Sequence, residues 1–152
     1  MTVAAPSRHP LLERLSSQHG FPELDLASFD DFVAAPGHAI VFFSDDPLRQ
    51  RETLDLAVIL PELHRGLGGA FRAAWLAPDT AKALYPRFGF RRWPAFVMLR
   101  GGAYVGVIDG IRDWDEYVRE TERLIASAPS EPPAIVLPAR ADAAARPGAS
   151  RG

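Results

Sequence analysis

The sequence contains no cysteine at any of its 152 positions. This absence excludes disulfide bonds, iron–sulfur ligation, a thiolate nucleophile and cysteine-based zinc sites. Long apolar runs are also missing: the longest, such as 39–43 and 95–99, have five residues, whereas a membrane-spanning helix needs ~18. Because Met1–Pro10 also lacks the apolar segment of a secretory signal, we expect a cytoplasmic protein with no membrane insertion.

The sequence has no strong excess of charge of either sign. Its 17 Lys and Arg against 19 Asp and Glu give a net charge of −2. Since nonspecific binding to nucleic acid depends on positive charge, we predict no nucleic-acid partner. The histidines have no metal-ligand spacing, and the glycine clusters lack the residues of a phosphate-binding loop, so we predict no metal and no other cofactor.

Helical and extended patterns alternate through residue 127, which indicates an α/β domain. Apolar runs predict strands near 22–26, 38–44, 70–77, 95–99 and 104–108. Apolar residues at helical spacing predict helices near 11–19, 26–35, 56–65, 78–84 and 114–125. The pattern leaves 47–54 open as either helix or loop.

Local signals specify two further features. The adjacent glycines Gly101 and Gly102 favour positive φ and therefore predict a tight hairpin. Asp113 followed by Glu116 predicts a capping box at the last helix. The predicted buried stripe of that helix consists of Trp114, Tyr117, Val118, Thr121, Leu124 and Ile125.

The composition changes after residue 127. Residues 128–152 contain five Pro, eight Ala and almost no large apolar side chains. Such a segment cannot bury enough surface to fold, so we predict one domain over 1–127, beginning with a short helix, and a disordered Pro/Ala-rich tail over 128–152. The apolar island Ile135–Leu137 is either a chance cluster or a segment that adds to a sheet edge on binding.

The stretch Arg87–Gly110 combines an aromatic-Gly pair, an X-Pro ahead of a strand, a Gly-Gly hairpin and a second strand, and an amphipathic helix follows it. This succession resembles the C-terminal half of a thioredoxin, and the resemblance extends over roughly 22–127. It implies a thioredoxin-like fold, with a central mixed sheet of four or five strands and helices on both faces. It also implies that Pro94 takes the place of the family's cis-proline.

The segment Phe43–Leu48 (FSDDPL) stands where thioredoxins carry Cys-X-X-Cys, so dithiol exchange is impossible. Together with Val58–Leu63, Arg87–Gly89 and the hairpin, this segment is similar to the HyaE/HupG family of thioredoxin-like hydrogenase accessory proteins. The resemblance implies a non-catalytic chaperone in nickel–iron hydrogenase maturation. Its partner would be the hydrogenase small-subunit precursor, bound before twin-arginine export, with a second maturation accessory protein as a further partner.

In this fold the loop after the central strand, the cis-proline loop and the turn before the last helix meet at one groove. We expect an extended peptide to pair with backbone groups there, with apolar contacts from the side chains. Four aspartates would make the rim acidic, with Asp45 and Asp46 facing the arginines of the signal region. The predicted partner-binding residues are Asp45, Asp46, Pro47, Leu48, Trp93, Pro94, Asp109, Gly110, Ile111 and Asp113.

Other interpretations stay open from the sequence. Asp46 could instead cap a helix, with Asp45 as a solvated turn residue. Arg91–Trp93 could bind a phosphate or a peptide carboxylate, or form a solvated loop. The alternative function is a glutathione-binding, transferase-like enzyme in which Ser44 activates the thiol, although a Pro/Ala-rich segment stands where such enzymes have a helical second domain.

Overall fold

A computed structural model describes residues 9–133. Its helices are α1 (Pro10–Ser17), α2 (Leu26–Ala34), α3 (Glu52–Gly66), α4 (Pro78–Leu84) and α5 (Trp114–Ile125), and a 3₁₀ turn covers Tyr85–Arg87. Its strands are β1 (Glu23–Leu24), β2 (His38–Phe43), β3 (Arg72–Leu76), β4 (Ala95–Arg100) and β5 (Ala103–Asp109). The predicted alternation of helices and strands is confirmed.

The strands form one mixed sheet in the order β1-β3-β2-β4-β5. β1, β3 and β2 are parallel, whereas β4 and β5 run antiparallel to their neighbours. β2 lies in the middle of the sheet, which explains why its sequence is apolar at nearly every position: a central strand covered on both faces has no side exposed to water. The predicted thioredoxin-like α/β sheet is confirmed, with five strands.

Helices cover both faces of this sheet. Ile40 and Phe42 of β2 belong to a core cluster that also includes apolar residues of α1, α3 and α5. Val41 and Phe43 point to the opposite face, where they join a second cluster with residues of α2 and α4. The alternation follows from the two-residue period of an extended chain.

Glycine and capping signals account for two of the connections. Gly101 and Gly102 adopt φ of 55° and 89°, so the predicted primed turn joins β4 to β5. At the start of α2, the Ser28 N–H donates to Asp25 Oδ1 (2.8 Å) and the Asp25 N–H donates to Ser28 Oγ (2.9 Å). Asp25 and Ser28 therefore form a capping box, and these hydrogen bonds lower the pKa of Asp25.

The start of α5 differs from the prediction in two ways. Asp113 is the N-cap residue, but its side chain makes no capping hydrogen bond, and Glu116 instead accepts from Arg112 Nη1 (2.9 Å). The predicted capping box is therefore wrong, because the neighbouring guanidinium takes the Glu116 carboxylate. Trp114 is also not buried: it is 44% exposed, and its ring lies beside Gly66 at the end of α3.

The chain after α5 returns to the edge strand. The Ser130 N–H donates to the Tyr104 carbonyl (2.8 Å), and its hydroxyl donates to the Val105 carbonyl (3.1 Å). Most of the predicted tail, with the island Ile135–Leu137, lies outside the described residues, so the boundary after residue 127 stays a prediction.

Candidate partner-binding site

Three loops meet at one end of the sheet because of the strand register. Phe43 at the end of β2 pairs with Ala95 at the start of β4, and Ala95 also pairs with Asp109 at the end of β5. The loop after β2, the loop before β4 and the loop after β5 therefore lie side by side. They line an open depression of about 530 Å³, called here the proline-loop groove, whose lining residues are Asp45, Gln50, Glu52, Arg91, Arg92, Trp93, Gly110 and Ile111.

A second depression of about 440 Å³ adjoins this groove and shares part of its wall. Its lining residues are Arg91, Arg92, Asp109, Ile111, Arg112 and Glu116. Of the ten residues predicted from the sequence, the groove brings together Asp45, Trp93, Gly110 and Ile111, and the adjoining pocket adds Asp109. Asp46, Pro47, Leu48, Pro94 and Asp113 line neither depression.

The loop after β2 is a hydrogen-bonded turn in the position of a thioredoxin's dithiol. Asp46 Oδ1 accepts from the Leu48 N–H (3.0 Å), and the Asp46 carbonyl accepts from the Gln50 N–H (2.7 Å). Asp46 therefore caps its own turn and not α3, which begins at Glu52 without a side-chain cap. The turn leaves the Leu48 side chain 93% exposed.

Asp45 is buried and already paired. Its Oδ1 lies 3.1 Å from Lys82 Nζ and 3.8 Å from Arg49 Nη2, and its backbone N–H donates to Thr53 Oγ1 (3.0 Å). Lys82 is the only lysine of the chain. Asp45 is therefore neither a solvated turn residue nor a free anion on the rim of the groove.

The cis-proline loop presents an open stretch of backbone. The Trp93–Pro94 peptide bond is cis, as predicted. The Trp93 ring is held by aromatic neighbours, with centroids 4.8 Å from Phe90 and 5.3 Å from Tyr85. Within residues 9–133, neither the N–H nor the carbonyl of Trp93 forms a hydrogen bond. Trp93 itself lines the proline-loop groove.

Asp109 ties the cis-proline loop to the end of β5. Its Oδ2 accepts from the backbone N–H groups of Arg91 (3.2 Å) and Arg92 (3.1 Å), and its Oδ1 lies 3.3 Å from Arg112 Nη2. The Gly110 N–H donates to the Pro94 carbonyl (3.0 Å). Asp109 and Gly110 therefore position the groove through internal contacts.

Tyr117 supports the same loop from inside the protein. Its hydroxyl donates to the Gly110 carbonyl (2.9 Å) and accepts from the Arg112 N–H (3.2 Å). Burial raises the pKa of this phenol. The sequence pattern placed Tyr117 on the buried face of α5 but held no signal for this contact, because its partners are backbone groups of a loop.

The charges of the predicted acidic rim are partly balanced within the domain. The carboxylates of Asp45, Asp46 and Asp109 accept hydrogen bonds from groups of the domain itself. Asp113 is the one of the four whose side chain makes no hydrogen bond or ion pair within residues 9–133. The groove wall also carries Arg91 and Arg92, which were outside the predicted binding set, although the sequence left open that Arg91–Trp93 binds a phosphate or a peptide carboxylate. The rim is therefore of mixed charge.

In the glutathione-binding alternative, the proposed thiol-activating residue Ser44 is not accessible. Ser44 has no exposed surface, and its hydroxyl donates to the Leu76 carbonyl at 2.6 Å. A hydroxyl that is buried and bonded in this way cannot reach a thiol in the groove. The transferase interpretation therefore has no support from the geometry.

Other classes of site were sought in the described part of the chain. Residues 9–133 contain no group of three or more His, Asp or Glu side chains placed to hold a metal ion. Among the helices of this range, none has the length and apolar character that crossing a bilayer requires.

Comparison with known proteins gives a consistent result. The family model for the hydrogenase-1 expression protein HyaE matches residues 11–117. The chain is 46% identical over 131 residues to the hydrogenase expression/formation protein HoxO of Cupriavidus necator, covering 85% of this chain and 81% of HoxO. It is 35% identical over 128 residues to HupG of Rhodobacter capsulatus, covering 82% of this chain and 93% of HupG.

A solved structure agrees with the fold. A mutant thioredoxin from Halobacterium salinarum superposes with a TM-score of 0.54 at 20% sequence identity, covering 72% of this chain and 93% of the thioredoxin. At this identity the likeness concerns the fold alone.

Proposed function

Because this chain belongs to the HyaE family of hydrogenase expression proteins, we propose that its role in hydrogenase maturation is that of a non-catalytic chaperone. Its partner is the small-subunit precursor of a nickel–iron hydrogenase, which it binds in the cytoplasm before export. A second maturation accessory protein is a further partner.

The observation that carries this proposal is the unpaired backbone at Trp93. A buried or half-buried strand end normally has its N–H and carbonyl groups paired, since an unsatisfied amide costs free energy. The N–H and carbonyl of Trp93 are unpaired within residues 9–133, and the residue lines an open groove. An extended polypeptide that adds as a strand satisfies both groups without depending on its side chains.

Exposed apolar residues next to the groove supply contact area. Leu48 is 93% exposed at the tip of its turn, and Ile111 is 47% exposed in the groove wall. Side chains of this size stabilise a complex when a partner removes them from water. The Leu56–Leu63 segment of α3 is a less suitable docking surface, because Leu56, Leu60 and Leu63 are buried in the core.

The proposal is tested by capture of the purified small-subunit precursor of the same organism on the immobilised chain. The Leu48→Asp/Ile111→Asp variant should capture on the order of tenfold less precursor, because it places charge where apolar contact is needed. The matched control is Leu26→Asp, which alters another exposed leucine (57%) that lines neither depression and should capture within about twofold of wild type.

A precursor that lacks its signal region identifies the segment bound. Loss of capture assigns binding to the signal region, and retained capture assigns it to the mature subunit. Equal capture by wild type and the double variant, with both folded by circular dichroism, would remove the groove from the proposal. No capture by wild type would contradict the chaperone role.

A further inference from the structure

Arg91 and Arg92 lie at the groove and carry exposed side chains without a partner in the described part of the chain. Within residues 9–133 their exposed side chains form no hydrogen bond and no ion pair. By contrast, five arginines elsewhere in this range pair with a carboxylate: Arg49, Arg65, Arg87, Arg112 and Arg123. The two residues are consecutive in the sequence, and both line the proline-loop groove and the pocket beside it.

The backbone that carries these arginines is fixed. Asp109 accepts a hydrogen bond from the N–H of each one, and Arg112 holds the Asp109 carboxylate in turn. The stem of Arg92 also packs on Gly110: a Cβ atom at Gly110 would lie 3.0 Å from Arg92 Cδ. Because Gly110 has no side chain, the aliphatic part of Arg92 has room to pack against it at the groove wall.

The acidic residues nearby do not neutralise the pair. Asp45 is bound by Lys82, and Asp109 and Glu116 are bound by Arg112. Glu52 lies in the first turn of α3, where the helix dipole favours a carboxylate. Arg91 and Arg92 therefore keep their charges unpaired within residues 9–133, in a groove wall that also contains Trp93 and Ile111.

We propose that Arg91 and Arg92 bind a carboxylate side chain of the polypeptide in the groove, so that the preferred segment is acidic next to an apolar residue. This inference rests on the proposed function and specifies the chemistry of its partner. Guanidinium groups bind carboxylates through paired, charge-assisted hydrogen bonds. The same pair repels a segment that carries two arginines.

The test compares dissociation constants for the purified small-subunit precursor, measured by biolayer interferometry. Arg91→Gln/Arg92→Gln should weaken binding roughly tenfold and reduce its dependence on salt. The control Arg100→Gln/Arg119→Gln removes the same charge from two other exposed arginines and should stay within about twofold of wild type. Overlapping synthetic peptides that cover the precursor sequence then identify the preferred segment, which should contain Asp or Glu.

The outcomes separate the two proposals. If wild type binds the precursor and the Arg91→Gln/Arg92→Gln variant binds equally well, the carboxylate site is wrong and the chaperone function stands. Preference for peptides rich in Arg or Lys also overturns the carboxylate site. If wild type does not bind the precursor at all, the proposed function fails and this inference fails with it.

Discussion

Tyr117 stabilises the groove through hydrogen bonds to its backbone. Its hydroxyl pairs with the Gly110 carbonyl and the Arg112 N–H, both in the loop between β5 and α5. Tyr117→Phe would leave these two groups without their partner, so we expect a loss of about 1–3 kcal/mol in the free energy of unfolding, measured by urea denaturation. Tyr104→Phe is the control, because the Tyr104 hydroxyl makes no hydrogen bond within residues 9–133, and it should change stability by less than about 0.5 kcal/mol.

The same tyrosine predicts a pH dependence. Burial raises the pKa of Tyr117 in the folded protein above its value in the unfolded chain. The stabilisation is therefore complete below the unfolded-state pKa of ~10 and is lost as pH rises through the folded-state pKa. Wild type should lose stability more steeply than Tyr117→Phe above pH ~10, and parallel curves for the two proteins would contradict this assignment.

At the scale of elements, the packing of α5 on β5 depends on one glycine. A Cβ atom at Gly106 of β5 would overlap Cδ2 of Leu124, which is buried on α5. Gly106→Ala should therefore lower the free energy of unfolding by about 1–3 kcal/mol through overpacking, as measured by urea denaturation.

A double-mutant cycle checks the cause of that loss. In a Leu124→Ala background the added methyl group has space, so Gly106→Ala should cost less than about 1 kcal/mol there. An equal cost in both backgrounds would mean that the loss arises from the backbone of β5 and not from contact with α5.

The elements also differ in how far the sequence predicted them. The hairpin and β2 are local patterns, one set by adjacent glycines and the other by a continuous apolar run, and both lie where the sequence placed them. The start of α5 was predicted less well: Arg112 takes the Glu116 carboxylate, and Trp114 lies beside α3. At a helix terminus, side chains of the flanking loop compete for the same polar groups that would form the cap. Residue spacing along the helix carries no information about these competitors.

At the scale of the whole molecule, the fold of a thioredoxin occurs here without its chemistry. A fold supports an activity only through the residues of its site, and thiol–disulfide exchange requires a thiolate. We therefore expect no reduction of insulin by this protein in the presence of dithiothreitol above the rate of the buffer blank, with a cysteine-containing thioredoxin as positive control. A rate above the blank for the pure protein would contradict the argument, since none of the 152 residues is cysteine.

The sequence by itself determined the α/β alternation, the hairpin and the absence of thiol chemistry, because each of these depends on residue type and short-range spacing. Only the tertiary structure decided which charges of the groove are free. Asp45 is paired with Lys82, 37 positions away, and the Asp109 side chain binds the backbone of a loop 17 and 18 positions away. Such pairings arise only when distant segments pack together. For that reason Asp45 and Asp109, which the sequence suggested as part of an acidic rim, instead hold parts of the domain together. Arg91 and Arg92 stay unpaired within the described residues.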